Sequence, residues 1–483
     1  MNIYLYHLPT TGTISFGDFC IDTSPEKTYA QHIAEVTQAR ANLRAVLKEN
    51  KRTHDSEKDY LRLVKVLDDY LPQLYGMMTS VASGTVSLRF EPVFRWRTML
   101  SSQLLNTCPR VPLPSLHADL AFSLLTYGMA LSNFARLIVN ALGNYEHEPA
   151  VSGIEHDAKD EKLSFAVSLF CRASGVFAHL SKSVLTDWNN AGVSGPRPPD
   201  LTTEVCAALS KMALADAQAL AVRKLLSRSA YESALSPGPP LPKSHPSTAL
   251  LAKLHLECAS LYISARSLAL TPGKVRATRN AASESGMGAS GEIIGELTRH
   301  LTDEAAFHSA LAHKWLGVDA GESGVATKGG EAVGFLAWAK RELEDLCGSI
   351  KGHLLRRDRT PGEGRRGKKE RTTHELESVE VFLSHYKKMN DTITFQPVPK
   401  QSDLQTKIPA GRLAVSPKPY QAPVPAFGST ASDKARSLAD AMKNSLNLDV
   451  PRQTASDTDS DSDDEPVKEL PSRKTYAGAG SYF

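Results

Sequence analysis

Four segments of helix length follow one another between residues 116 and 269, and nothing else in the chain constrains its fold as strongly. They cover 116–142, 161–188, 201–227 and 247–269, each long enough for about seven helical turns. Helices of that length lying side by side need apolar partners on both flanks, so the segments demand a stacked helical body. Their separators confirm the breaks. Residues 192–199 are rich in glycine and proline, and Ser236–Pro246, SPGPPLPKSHP, cannot be helical. Asp200 or Thr202 is placed to cap the third segment, and Pro246 suits the first turn of the fourth.

The stretch Lys314–Leu346 extends this body toward the C-terminus. Its first helical piece is expected to close at Trp315-Leu316-Gly317, where glycine can take a left-handed conformation. Asp319, Gly321, Glu322 and Gly324 supply turn residues, and Glu331 reopens a helix with acid in its first turn. From Ala332 to Ala339 that helix is apolar or small on every side, which places it among other helices, with Phe335 and Trp338 as one ridge.

Toward the N-terminus, Ile3–Phe19 is broken by Pro9, Gly12 and Gly17 and reads as an irregular or strand-like lead-in. A helix over 28–49 carries Ile33, Val36, Leu43 and Leu47 at helical spacing, and 59–78 is a second helix. Val86–Phe90 and Val93–Trp96 alternate in character around Glu91-Pro92, a small hairpin or edge piece. The expected fold is all-α with a small N-terminal sheet.

Composition limits the function classes. With 483 residues, 41% apolar, the chain can bury a large core, and few aromatics beside abundant Ala and Leu favour helix. A net charge of +3 gives no global field toward nucleic acid or an anionic membrane. Six scattered cysteines, without a CxxC pair or zinc spacing, read as buried thiols of a reducing compartment. No secretion signal opens the chain and no stretch approaches eighteen apolar residues, so a cytosolic protein reaching membranes only through partners is expected. Residues 356–371 hold eight basic residues among sixteen, read as a solvated insertion or, alternatively, a weak contact with acidic lipid or protein. Thr271–Gly291 reads as a polar loop. Beyond 399 the chain turns proline-rich, with a weak helix near 432–446 and the run SDTDSDSDDEP from Ser456. Residues 400–483 are therefore expected to be a disordered tail after a folded 1–399.

Catalytic patterns fail on their context. Gly362–Lys369 resembles a phosphate loop, yet Lys369 stands where Ser or Thr should hold magnesium, and no apolar strand precedes it. Gly286–Gly291 also lacks a strand. There is no HExxH, no GxSxG and no Cys with a visible partner histidine. His179, His255 and His313 lie on helices as surface or satisfied core residues, and Glu342, Glu344 and Asp345 beside Lys340 and Arg341 read as a solvated helix end. No catalytic, metal or cofactor residue emerges, and a prenyl-type helical enzyme would need clustered acids that are absent from the sequence.

Several motifs go further. Leu120–Ala135 (LAFSLLTYGMALSNFA), Ala173–Leu180, Asp200-Leu-Thr with Leu214–Gln218, and Leu250-Leu-Ala-Lys-Leu254 resemble, in order and character, the Bro-type domain of Alix and PalA. Lys314–Glu322 (KWLGVDAGE), Gly330-Glu-Ala, Tyr386–Thr392 (YKKMNDT) and Phe395–Pro399 (FQPVP) are similar to the PalC-like fungal pH-response regulators. The likeness spans roughly 1–399. It implies an elongated, curved all-helical domain with a TPR-like helical-hairpin solenoid at its centre. It also implies a non-catalytic cytoplasmic adaptor. Such proteins bind the C-terminal amphipathic helix of an ESCRT-III filament subunit and act with other alkaline-pH signalling proteins at the cell cortex, upstream of proteolytic activation of a PacC-type transcription factor. The same likeness puts the contact on Leu250 and Leu254, four apart on one helical face. The third family contact, an aromatic, falls on Ala221, with Val222 beside it as a partial substitute. A generic helical-repeat scaffold in trafficking is the competing reading.

Overall fold

A computed structural model describes residues 2–24, 26–101, 110–147, 153–192, 197–235, 237–271, 293–354 and 363–428. Within them, eleven α-helices and four short strands are formed. The helices are α1 Ala30–Arg52, α2 Tyr60–Ala82, α3 Leu116–Leu142, α4 Gly153–His179, α5 Leu185–Asn190, α6 Thr203–Leu235, α7 Thr248–Ala269, α8 Gly295–Ser323, α9 Val325–Leu354, α10 Glu363–Met389 and the single turn α11 Gln401–Gln405. A π-turn, Leu180–Val184, joins α4 to α5. Each long helix packs against its neighbours in the chain, from α1 on α2 through to α9 on α10, as expected of a stacked helical array.

Asp59 caps α2 by accepting a hydrogen bond from the Arg62 N–H at 2.8 Å, and Ser247 caps α7 by accepting one from Leu250, which leaves Pro246 ahead of the cap and not in the first turn where the sequence put it. Thr202 caps α6 through Val205, whereas Asp200 has a different task. Its buried carboxylate accepts from the N–H groups of Met99 and Leu100 and from the Ser101 hydroxyl, stitching the chain at 99–101 to the helical body.

The strands are β1 Cys20–Asp22, β2 Val86–Leu88, β3 Val93–Arg97 and β4 Arg110–Pro114. The expected pairing across Glu91-Pro92 does not occur. β2 pairs with β1 and β3 with β4, both antiparallel, because the bend at Phe90–Pro92 carries the chain from one two-stranded sheet to the other. β4, RVPLP, is unreadable as a strand because of its prolines. Behind β3, Trp96 stacks on Phe122 at 5.2 Å and donates its indole N–H to Asp119 at 2.7 Å. Arg40 from α1 grips both Asp119 oxygens, and Tyr70 from α2 donates to the same carboxylate. This buried charge is fully partnered, and it fixes α1, α2, α3 and β3 in one arrangement.

In the stretch 314–346 the helix does not end at Gly317. α8 runs to Ser323 and the break comes at Gly324. Gly317 and Gly321 serve packing instead: a side chain at 317 would strike Leu336 and the Ala332 carbonyl, and one at 321 the Tyr386 ring. α9 is buried as expected at Ala332, Val333, Phe335, Leu336 and Ala339, and His313 stacks on Trp338 at 3.9 Å. The basic stretch is likewise more than a solvated insertion. Its second half opens α10, where Lys368 pairs with Asp303 and Arg371 with the buried Glu304, while 355–362 lie outside the described residues.

Three helical stretches, Leu116–His147, Gly153–Asn190 and Thr203–Ser233, do reach the length and mean hydropathy of a membrane span, contrary to the expectation from sequence. Their most apolar windows are 78%, 67% and 83% buried within the body, so the apolar surface is spent on neighbouring helices.

The larger correction concerns the chain beyond 399. Residues 401–428 form a strap that retraces the array in reverse. Leu404 packs by Gly334 of α9, and Lys407 pairs with Glu331. The Arg412 N–H donates to the Lys253 carbonyl of α7, Ala414 to the Gln218 side chain of α6, Lys418 to the Cys171 carbonyl of α4 and Ala426 to the Pro72 carbonyl of α2. Tyr420 meets Tyr127 of α3 edge-on, and Phe427 stacks on His32 of α1 at 4.7 Å. Low apolar content suggested that this stretch could not be held, but backbone hydrogen bonds to helical carbonyls and a few anchors suffice. The weak helix at 432–446 and the acidic run lie outside the described residues, as does most of the loop 271–291.

Candidate partner-binding face

The site named from sequence lies where α6 and α7 run side by side. On α7, Leu250 keeps part of its surface in solvent, while Leu251 and Leu254 turn inward to Phe307, Leu311 and Trp315. Leu254 is only 2% exposed. On α6, Ala221 and Val222 are also buried. Three of the four residues thus form the floor behind the face, and only Leu250 reaches its surface. The spacing of four puts Leu250 and Leu254 on one helical stripe, but neighbours covering Leu254 decide its exposure.

Bonded to the Leu254 main chain is the buried Gln218. Its amide donates to the Leu254 and Arg412 carbonyls, at 3.4 and 2.8 Å, and its carbonyl accepts from Ala414 at 2.8 Å. With the Arg412 bond to Lys253 at 3.0 Å, this clamps three strap residues across α6 and α7. Gly411 sits against the Glu257 backbone, where no larger residue fits. Ala414 packs on the core, and Leu413, held between two fixed neighbours, is left 48% exposed. The Arg412 bond brings the strap to α7 at Lys253, three residues from Leu250. The face therefore carries the exposed Leu413 on the strap and, on α7, the partly exposed Leu250 with the charged Lys253 and Glu257. Sequence reasoning missed Leu413 because it treated the strap as tail; the signal present was LAV amid prolines.

Beneath the face lies a largely buried polar network. The Nδ1 atoms of His255 and His308 are 3.0 Å apart, so one must donate while the other accepts, and the pair has room for a single proton there. Burial holds both imidazoles below their ordinary range, His308 at about 4. Tyr262 donates to Asp216 at 2.6 Å, and burial pushes that carboxyl up to about 8. Burial also opposes ionisation of Glu304, yet Arg371, bonded to both its oxygens, holds it at about 2. These groups join α6, α7, α8 and α10 and behave as core. Among the described residues, no three His, Cys, Asp or Glu side chains are gathered as a metal site. Cys20, Cys171, Cys206 and Cys258 are buried free thiols.

A family model, the BRO1-like domain, matches residues 19–444. The chain is 37% identical to a pH-response regulator protein palC of Cryptococcus neoformans, over 88% of this chain and 92% of that protein. A Yarrowia lipolytica protein of the same name is 25% identical, over 86% and 92%. Among solved structures, the fold is similar to that in an ALIX BRO1 CHMP4C complex, with a TM-score of 0.56 at 16% identity, covering 90% of this chain and all of that one. It also resembles the structure titled a basis for endosomal targeting by the Bro1 domain, with a TM-score of 0.53 at 17% identity, covering 92% of this chain and all of that one.

Proposed function

Since the chain belongs to the BRO1-like domain family, we propose that it is a cytoplasmic, non-catalytic adaptor of an alkaline-pH response. Its α6/α7 face docks the C-terminal amphipathic helix of an ESCRT-III filament subunit, recruiting the chain to membrane sites where that filament assembles. With other signalling proteins there it promotes proteolytic activation of a PacC-type transcription factor. The name of the Cryptococcus relative and the CHMP4C partner in the ALIX complex support this reading. The observation that carries it is the exposed Leu413, fixed by the Gln218 clamp across α6 and α7, on a face whose α7 side keeps Leu250 partly in solvent above a buried floor of Leu254, Val222 and Ala221. An amphipathic helix laid on such a face inserts its apolar side chains without reorganising the receptor.

Calorimetric titration with the filament subunit's C-terminal peptide tests the reading. Burying each leucine against a partner is worth about 1.5–3 kcal/mol, so Leu250→Asp or Leu413→Asp weakens binding at least roughly tenfold while the melting temperature holds. Leu254→Asp, by contrast, places a charge in the core and lowers the melting temperature. Normal binding by both surface variants rules out this face, and no binding by the unaltered chain leaves a generic helical scaffold.

A further inference from the structure

A cleft of about 220 Å³ opens where the strap crosses α2, α3 and α4. Leu71 of α2, Val176 of α4 and Pro419 and Pro423 of the strap give it apolar walls, and Asp68, Tyr127, Arg172 and Lys418 bring charge and a hydroxyl to it. Tyr127 donates to Asp68 at 2.6 Å and accepts from the Arg172 guanidinium at 2.8 Å. Burial, and then the bond to Asp68, hold this phenol well above its ordinary range, so it stays a neutral link between the two charges. The carboxylate is thus kept behind a hydroxyl, and Arg172 is oriented without being neutralised. Lys418 is placed from the other side. Its backbone N–H donates to the Cys171 carbonyl at 3.0 Å, one residue before Arg172, so both cations flank the same cleft. None of the ion pairs among the described residues involves either of them.

Two cations and one carboxylate favour an occupant with a single negative charge. A phosphate monoester, nearly a dianion at neutral pH, would also confront Asp68. The volume lies below the roughly 300–1,000 Å³ of sites for drug-sized molecules, so the cleft takes one fragment-sized group, such as a phenyl ring with its acid. We propose that it binds a carboxylate carried on a small apolar body, the two oxygens held between Arg172 and Lys418 and the body against Leu71, Val176 and Pro419. A free organic acid and the last residue of a peptide chain both present that chemistry. Since Lys418 and Pro419 belong to the strap and Arg172 to α4, the occupant also fastens the strap to the helical array, and nothing in this depends on the α6/α7 face.

The full chain is titrated with N-acetylphenylalanine, its amide and phenylpropanoate, and binding is followed by ligand-observed NMR. The acids should bind, less tightly as salt rises, and the amide, the same body without the charge, at least about tenfold more weakly than its acid. Lys418→Glu should cost at least about tenfold in affinity for the acids. Its side chain is exposed and the backbone bond to Cys171 remains, so unchanged melting shows that the variant is folded. Equal binding of the two acids assigns a free organic acid, and a preference of about tenfold or more for N-acetylphenylalanine assigns a chain terminus. The proposal fails if the unaltered chain binds neither acid, if the amide matches its acid, or if Lys418→Glu leaves affinity intact. It fails also if inorganic phosphate displaces the acid at equal or lower concentration, which would make this a phosphate site.

Discussion

The same substitution, glycine to alanine inside a helix, should have opposite signs at two positions of this chain. Gly348 lies in the exposed interior of α9 with open space around it, and Gly348→Ala should stabilise by about 0.5–1 kcal/mol through lower chain entropy and better helix propensity. Gly175 lies in α4 beneath the strap, where an added methyl group would overlap the Lys418 carbonyl and crowd the Tyr420 N–H. The strap must lift there. Lifting breaks the bond from Lys418 to Cys171, about 1 kcal/mol. It also loosens the half-buried Tyr420 and Val415, a loss of about 1.5–3 kcal/mol even when incomplete. Set against the propensity gain, Gly175→Ala should destabilise by roughly 2 kcal/mol. Urea unfolding of both variants measures this. A third comparison isolates the cause: in a chain stopped after Pro409, which lacks the strap across α4, Gly175→Ala should become neutral or stabilising. If Gly175→Ala stabilises the full chain as Gly348→Ala does, the strap is not held against α4 and the reasoning is refuted.

The buried Asp119 gives a sharper break: Asp119→Ala strands the Arg40 guanidinium and should cost about 3–5 kcal/mol by calorimetry, whereas Arg40→Met/Asp119→Leu should recover most of it. Acid sensitivity follows from His300 and His308, both drawn down to about 4 by burial. Each favours the folded state fully above the ordinary histidine value, and that contribution is lost as pH falls from about 6.5 through 4, so melting temperature should drop across this window and less steeply in His308→Gln. Asp216 acts in the opposite sense, since a carboxyl raised to about 8 costs stability as pH climbs from about 3.8 toward 8; Asp216→Asn should raise the melting temperature at pH 8 and lose its advantage near pH 4. A chain stopped after Pro399 should melt below one stopped after Gly428, and equal melting would show that the strap adds nothing.

The helices were legible because their signals are local. Thr202 caps where the sequence allows it, and proline-rich breaks end the long segments. Gly317 misled because a helical glycine can end a turn or admit a neighbour, and only tertiary contact with Leu336 decides. The strap was invisible for a related reason: its partners are carbonyls of helices hundreds of residues earlier, which no window of sequence contains. Its trace lies in the helices themselves. Gly76, Gly175, Gly330 and Gly334, each a propensity cost inside a helix, mark the points where Phe427, Lys418, Pro397 and Leu404 come closest. Read together they would have indicated a covering segment, and with it Leu413. Burial of Leu254 escaped the sequence for the same cause, since it packs in a cluster with Phe307, Leu311 and Trp315 of the later helix α8.

The strap also sets an order on the life of a newly made chain. Synthesis delivers α1 and α2 early and Phe427 only after all the helices, so the surface around His32 and Gly76 waits through most of translation, roughly 20 to 70 seconds at ordinary ribosome speeds. During that interval the helices can stack in sequence, as repeat arrays do, but none is yet tied to a distant one by the returning segment. Only when Phe427 emerges do α9 and α1 become parts of one closed circuit. A chain cut short before Lys418 would leave the Gly175 and Gly76 faces bare, the kind of surface by which quality-control chaperones distinguish an unfinished molecule from a finished one.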